Sequence, residues 1–168
     1  MISCQKYTIH IQEGDKLPEI TLSTMTDEGP KPLSVLELCQ GKKVVLFAVP
    51  GAFTPTCSVQ HLPGFIQNVS QLKEKGVDTV ACISVNDPFV MAAWGKDREA
   101  GQDVLMIADG NAEFTKAIGL EMDGSGFGLG TRSQRYAMII DDGVVTNLHV
   151  ESGPALDVSS AESVLEAL

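Results

Sequence analysis

The residues with the most chemistry in this sequence are Pro50-Gly51-Ala52-Phe53-Thr54-Pro55-Thr56-Cys57, which leave an apolar run and enter an amphipathic one. A cysteine at the start of a helix meets unpaired backbone N–H groups and the positive end of the helix dipole. Those groups stabilise a thiolate, and only the thiolate is a good sulfur nucleophile. Gly51 lets the backbone approach closely, while Pro50 and Pro55 restrict the loop and reduce the entropy lost in holding one shape. Cys57 is therefore the best-placed nucleophile. The other cysteines stand at 4, 39 and 82, and no CxxC occurs. Cys4, near the N-terminus, and Cys39, in a short apolar helix, read as bystanders, and Cys82 in Val80-Ala81-Cys82-Ile83 reads by default as a small buried hydrophobe.

The three histidines, 10, 61 and 149, lie far apart and do not pair with cysteines at metal-ligand spacing, so no structural metal is expected and each reads as a satisfied structural histidine. Gly124-Ser-Gly126-Phe-Gly128-Leu-Gly130 offers no frame of GxGxxG, and Glu121-Met-Asp123 before it does not read as a strand, so this stretch is taken as a flexible loop beside the site.

Lys and Arg number 12 against 22 Asp and Glu, so the net charge is 12 − 22 = −10, with a pI near 4.6. That balance argues against nucleic acid and against an anionic membrane as partners. The longest apolar run, Val44 to Val49, is too short to span a bilayer, and the N-terminus lacks the basic and apolar pattern of a secretion signal. The expected location is cytoplasmic, where thiols stay reduced. A chain of 168 residues buries roughly 70% of its unfolded surface and needs no staple. Without a linker, repeat or low-complexity tract, residues 1–168 are read as a single domain.

The elements that must position Cys57 follow from periodicity. Tyr7, Ile9 and Ile11 alternate as a strand, and Ile20 to Leu22 is a second, giving an N-terminal β-hairpin extension. Ser34 and Glu37 box a short helix from Val35 to Cys39, and Lys43 to Val49 reads as a central strand buried on both faces. Leu62, Phe65, Ile66, Val69 and Leu72 predict one amphipathic helix over about 57–75, kinked at Pro63. A strand over 77–85, a helix opened by Asp87 and Pro88, a strand over 104–108 and a helix over 112–118 follow. Arg135 to Ile140 and Val144 to Val150 form a hairpin through Asp141-Asp142-Gly143, before a last helix boxed by Ser159 and Glu162. This order predicts an α/β, thioredoxin-like fold: a mixed central sheet with helices on both faces.

The string Pro50-x-x-x-Thr54-x-x-Cys57 resembles the active-site motif of the peroxiredoxins. The wider PGAFTPTCSVQHLPGF over 50–65 is similar to their type-five (type II) subclass, and Arg135 in Arg135-Tyr136-Ala137 resembles the second active-site element. On position alone Arg135 would be an outward charge on a strand, and Arg132 competes for its role. The resemblance, which covers essentially the whole chain, implies a thiol-dependent peroxidase that reduces hydrogen peroxide and small alkyl hydroperoxides through a Cys57 sulfenic acid, with no cofactor. Thr54 would accept from the peroxide or donate to it, Arg135 would donate to it and hold Cys57 anionic, and loop N–H groups at Gly51 and Cys57 would add donors behind Pro50. Cys82 matches a position where some relatives carry a resolving cysteine. It either closes an intramolecular disulfide or leaves resolution to glutathione, glutaredoxin or thioredoxin as the electron donor. A homodimer surface near the active-site loops is implied as well. Two other readings stay open: a thioredoxin-type disulfide oxidoreductase, disfavoured because Thr54 stands where a CxxC has its first cysteine, and a peroxide-sensing redox switch or holdase.

Overall fold

Residues 10–168 are described by a computed structural model. Thr21–Thr26 (β1) and Gly29–Ser34 (β2) pair antiparallel from Thr21↔Ser34 to Thr26↔Gly29. The N-terminal hairpin is thus built from different strands than the alternation of Tyr7, Ile9 and Ile11 predicts. Tyr7 and Ile9 lie outside the described residues, and Ile11 is in no strand, its N–H donating to the Ile118 carbonyl at 2.8 Å. β2 carries Pro30 and Pro32, which have no N–H for a second neighbour, and this hides it from strand patterns while suiting it to the sheet edge it occupies.

Val35–Cys39 (α1) is capped by Ser34, whose hydroxyl oxygen accepts from Glu37 N–H. Lys43–Ala48 (β3) then leads through the Pro50 loop into a π-helical turn, Cys57–His61, followed by Leu62–Gln67 (α2) and Val69–Glu74 (α3). After these come Thr79–Ser84 (β4), Pro88–Asp97 (α4), Leu105–Ala108 (β5) and Glu113–Ala117 (α5). Glu121–Asp123 (β6) and Thr131–Ser133 (β7) pair as a small hairpin around a 3-10 turn, Ser125–Phe127, so the stretch read as a non-strand and a loose loop is a paired element. Tyr136–Asp141 (β8), Val144–Val150 (β9) and Ala161–Ala167 (α6) complete the chain. The β8–β9 turn has positive φ at Asp142 (50°) and Gly143 (82°), the pairing that a two-residue hairpin turn wants. Ser160, not Ser159, caps α6 by accepting from Ser163 N–H; Ser159 is buried and otherwise engaged.

The main sheet has the order β2-β1-β5-β4-β3-β8-β9, with β3, β4 and β5 parallel and β8 antiparallel to β3. Alternate residues of β3 divide the core. Val45 and Phe47 face α2, α3, α4 and α6, while Val44, Leu46 and Ala48 face α1 and α5. Helices therefore cover both faces of a mixed sheet whose β4-β3-β8-β9 portion has thioredoxin-like connectivity, as the periodicity predicts. Cys57 belongs to the face of Phe47. There Phe65 of α2 stacks on Phe47 with ring centroids 4.0 Å apart, and the His61 ring is tilted against both. Such aromatic pairs contribute about 0.5–1.5 kcal/mol beyond their burial, and here they pin the start of the helix to the sheet.

Candidate active site

Cys57 opens the π-helical turn, and its geometry departs from the single kinked helix that apolar spacing predicts. Leu62 N–H donates to the Cys57 carbonyl, five residues back rather than four. The Ser58 carbonyl then has no helical donor, because Leu62 is taken and Pro63, next in line, has no N–H. Arg98 fills the gap by donating from Nη1 to Ser58 O at 3.2 Å, and Trp94 Nε1 donates to Ser58 Oγ at 2.8 Å. Both come from the C-terminal end of α4, which therefore clamps the turn. The helix breaks again at Asn68, which donates from its side-chain Nδ2 to Gly64 O at 2.7 Å, where an α-helix would use its backbone N–H.

The loop ahead of Cys57 is tied to its own backbone and to a neighbouring strand. The Thr54 hydroxyl donates to the Gly51 carbonyl at 2.6 Å, so toward a substrate this oxygen is left to accept. Ala52 N–H donates to Asn86 Oδ1 at 3.0 Å, and Asn86 is held by the Ser84 hydroxyl at 2.6 Å. A Cβ at Gly51 would lie 3.1 Å from Arg132 Nη1 and 3.2 Å from Thr54 Cγ2, so the close approach expected of this glycine is real. The Cys57 N–H donates to no group among the described residues.

Two arginines compete in the sequence, and the fold separates them. Arg132 donates from Nε to Leu129 O at 3.0 Å and reaches Pro50 O at 3.5 Å, bracing the loop from outside. Arg135 lies in the short link ahead of β8 rather than on the strand, and it is only 5% exposed. Its Nη2 donates to Cys57 Sγ at 3.3 Å and its Nη1 to His61 Nδ1 at 2.9 Å, while Nε is buried with no partner among the described residues. A guanidinium only donates, so His61 Nδ1 is the acceptor; His61 Nε2 faces the Ser159 carbonyl at 2.9 Å and carries the hydrogen. Burial, with Arg135 second, holds the His61 pKa down to about 3, and the Ser159 carbonyl and Glu151 only partly oppose it. The imidazole is neutral at any ordinary pH. It is more than the satisfied structural histidine its position suggests, because one of its nitrogens orients the arginine.

Cys82 lies beside Phe47 across the β3–β4 ladder and shares one core cluster with Cys57. Burial pushes its thiol well above the ordinary value, the neighbouring Cys57 adds to this, and Arg135 opposes it. Cys39 packs in the other core, where burial raises it to about 11. Cys39, Cys57 and Cys82 are all free thiols, and Cys4 lies outside the described residues. Among the described residues no group of three or more His, Cys, Asp and Glu side chains gathers in the way a metal ion needs.

A buried cysteine at a helix start, with an arginine donating to its sulfur in a thioredoxin-like fold and no CxxC in the sequence, is the arrangement of a thiol-based oxidoreductase outside the CxxC class. The Redoxin family pattern matches residues 12–165. The chain is 56% identical over 163 residues to peroxiredoxin-2E-2, chloroplastic, of Oryza sativa subsp. japonica, covering 94% of this chain and 72% of that one. It is 51% identical over 159 residues to peroxiredoxin-2B of Arabidopsis thaliana, covering 94% and 98%. Among solved structures, reduced Prx3 from Vibrio vulnificus in complex with H2O2 superposes with a TM-score of 0.90 at 62% identity, covering 94% of this chain and 98% of that one. The chain belongs to the peroxiredoxin family, and its activity is that of a thiol-dependent peroxidase with an antioxidant role.

Proposed function

We propose that Cys57 is the peroxidatic nucleophile and that Arg135, Thr54 and the Pro50–Gly51 loop serve it directly. The carrying observation is the Arg135 Nη2 to Cys57 Sγ hydrogen bond at 3.3 Å. The Cys57 thiolate attacks the terminal oxygen of a hydroperoxide; an S–O bond forms, the O–O bond breaks, and the leaving oxygen takes a proton as water or alcohol. Cys57 becomes a sulfenic acid. As charge spreads along S···O···O, the Nε–H of Arg135 and the Cys57 N–H, neither bonded to another of the described residues, are the donors left for the substrate oxygens, and the Thr54 oxygen accepts from the peroxide hydroxyl. Replacing Cys57 with Ser is expected to abolish hydroperoxide consumption; surviving thiol-driven turnover would overturn this assignment.

The 50–65 string supports placement in the type-five subclass and a preference for hydrogen peroxide and small alkyl hydroperoxides. For resolution, an external thiol is the favoured donor, glutathione with glutaredoxin or else thioredoxin. Cys82 is buried, protonated and held in a β-ladder, and the π-helical turn must unwind before the two sulfurs can bond. Cys82 remains the second reading because it packs in the same core cluster as Cys57. Peptide mapping after one equivalent of hydroperoxide, with and without glutathione, separates the two: a glutathione adduct on Cys57 supports the first, a Cys57–Cys82 disulfide the second. The three free thiols favour a reducing compartment such as the cytoplasm. A homodimer is supported by three exposed aromatics, Phe53 in the loop ahead of Cys57, Phe89 on the first turn of α4 and Phe127 in the β6–β7 turn, exposed at 52%, 65% and 88%.

A further inference from the structure

We propose that Glu151 is a positioning residue for peroxide reduction, acting through Ser159 and His61 to hold Arg135 on Cys57. The proposal rests on the reading that Arg135 and Cys57 carry the reaction. Its basis is a closed ring of hydrogen bonds. Glu151 N–H donates to the Arg135 carbonyl at 2.9 Å. The Glu151 carboxylate accepts, on one oxygen, from Asp157 N–H at 2.7 Å, Ser159 N–H at 2.8 Å and the Ser159 hydroxyl at 2.7 Å. The Ser159 carbonyl accepts from His61 Nε2, and His61 Nδ1 accepts from Arg135, whose other terminal nitrogen reaches the sulfur.

Each link has a physical reason. Residues 151–160 contain no helix or strand, so three donors converging on one carboxylate oxygen decide the shape of this segment. Burial works against the charged form of Glu151, but the hydrogen bonds from Asp157, Ser159 and Val158 outweigh it and keep the carboxyl below the usual range. The same turn aims the Ser159 carbonyl at the ring. A carbonyl oxygen there selects the Nε2–H tautomer, and only that tautomer has a lone pair on Nδ1 for the guanidinium. Without it Arg135 would face a second N–H and swing off the sulfur.

Single-turnover oxidation followed through Trp94 tests this, because Trp94 is the only tryptophan and its indole is bonded to Ser58 beside the nucleophile. In Glu151→Ala the rate constant for oxidation by hydrogen peroxide is expected to fall about tenfold. Glu151→Gln, which keeps an acceptor oxygen, should fall less, and reduction of the sulfenic acid by excess small thiol should stay as in the wild type. The imidazole 15N shifts of His61 should move from a pure Nε2–H signature toward a tautomer mixture in Glu151→Ala, a readout that lost stability alone does not change. A folded Glu151→Ala protein with the wild-type oxidation rate, or slow oxidation with an unaltered His61 tautomer, overturns the proposal. Should Glu151→Ala not fold, Ser159→Ala, which removes one of the three donors, is expected to slow oxidation less; wild-type rates in both Ser159→Ala and Glu151→Gln overturn it equally. A wild-type protein inert to hydroperoxide would sink the assignment of Cys57 and Arg135 instead, while the 15N arm would still judge the ring.

Discussion

Arg135 serves two acceptors with one planar group, Cys57 Sγ at 3.3 Å and His61 Nδ1 at 2.9 Å. A lysine ammonium is a point donor on a flexible stem and cannot span both while keeping a third N–H for substrate. Arg135→Lys, which preserves the charge, is therefore expected to lower the second-order rate of hydroperoxide reduction by about two orders of magnitude, the size seen when a positioned donor to a developing anion is lost. Stopped-flow oxidation checks this. A decrease of less than about threefold would mean that charge alone matters at this position.

At the scale of elements, the Cys57 turn depends on α4. Arg98 supplies the Ser58 carbonyl with the donor that Pro63 removes, and Trp94 bonds the Ser58 hydroxyl, so the position of α4 on the sheet governs the turn. That position is set by Gly95, buried in α4, where a Cβ would lie 2.9 Å from Met106 Cγ on β5. Gly95→Ala gains about 1 kcal/mol of helix propensity but forces α4 away from β5 at a cost of about 1–3 kcal/mol. Net destabilisation in urea unfolding is expected, together with a shift of Trp94 emission as its bond to Ser58 loosens. An unchanged midpoint and emission would show that Met106 yields freely.

At the scale of the whole molecule, folding excludes a proton from His61. Its pKa is near 6.5 in the unfolded chain and about 3 in the fold, where it is packed against Phe47, Phe65 and Arg135, with the Ser159 carbonyl and Glu151 acting more weakly. The unfolded state binds the extra proton between those values, so stability is fully present above about 6.5 and is lost as pH falls toward 3. Glu151 also loses stability on the acid side, because its carboxyl is lowered in the fold, but that loss begins only near its ordinary value of 4.5. Urea midpoints between about pH 5 and about pH 7 should therefore decline toward acid in the wild type and flatten in His61→Gln. Equal slopes in the two proteins would place the titrating group elsewhere.

The cysteine, its loop and the strand–helix order around them are local features, and the sequence alone determined them. Apolar periodicity marks β3 and β4, Asp87-Pro88 opens α4 by capping, and the 50–57 motif stands on a strand-to-helix junction because proline, glycine and threonine act on their own backbone. The same locality explains what was misread. Prolines disguised β2, Ser159 looked like a cap until Ser160 took that role, and the apolar spacing of 62–72 gave no sign of the π-helical turn or of the break at Asn68. Only the tertiary structure decided which arginine reaches the sulfur and what holds it there. Arg132 and Arg135 are three residues apart, yet Arg132, inside β7, reaches Pro50 from outside the loop while Arg135, in the link ahead of β8, reaches Cys57. His61, Glu151 and Ser159 join the site across sequence separations of 74, 8 and 98 residues. A hydrogen-bond ring of that span leaves no periodic trace in the chain, since its partners meet only after the sheet has brought β8, β9 and the Cys57 turn together.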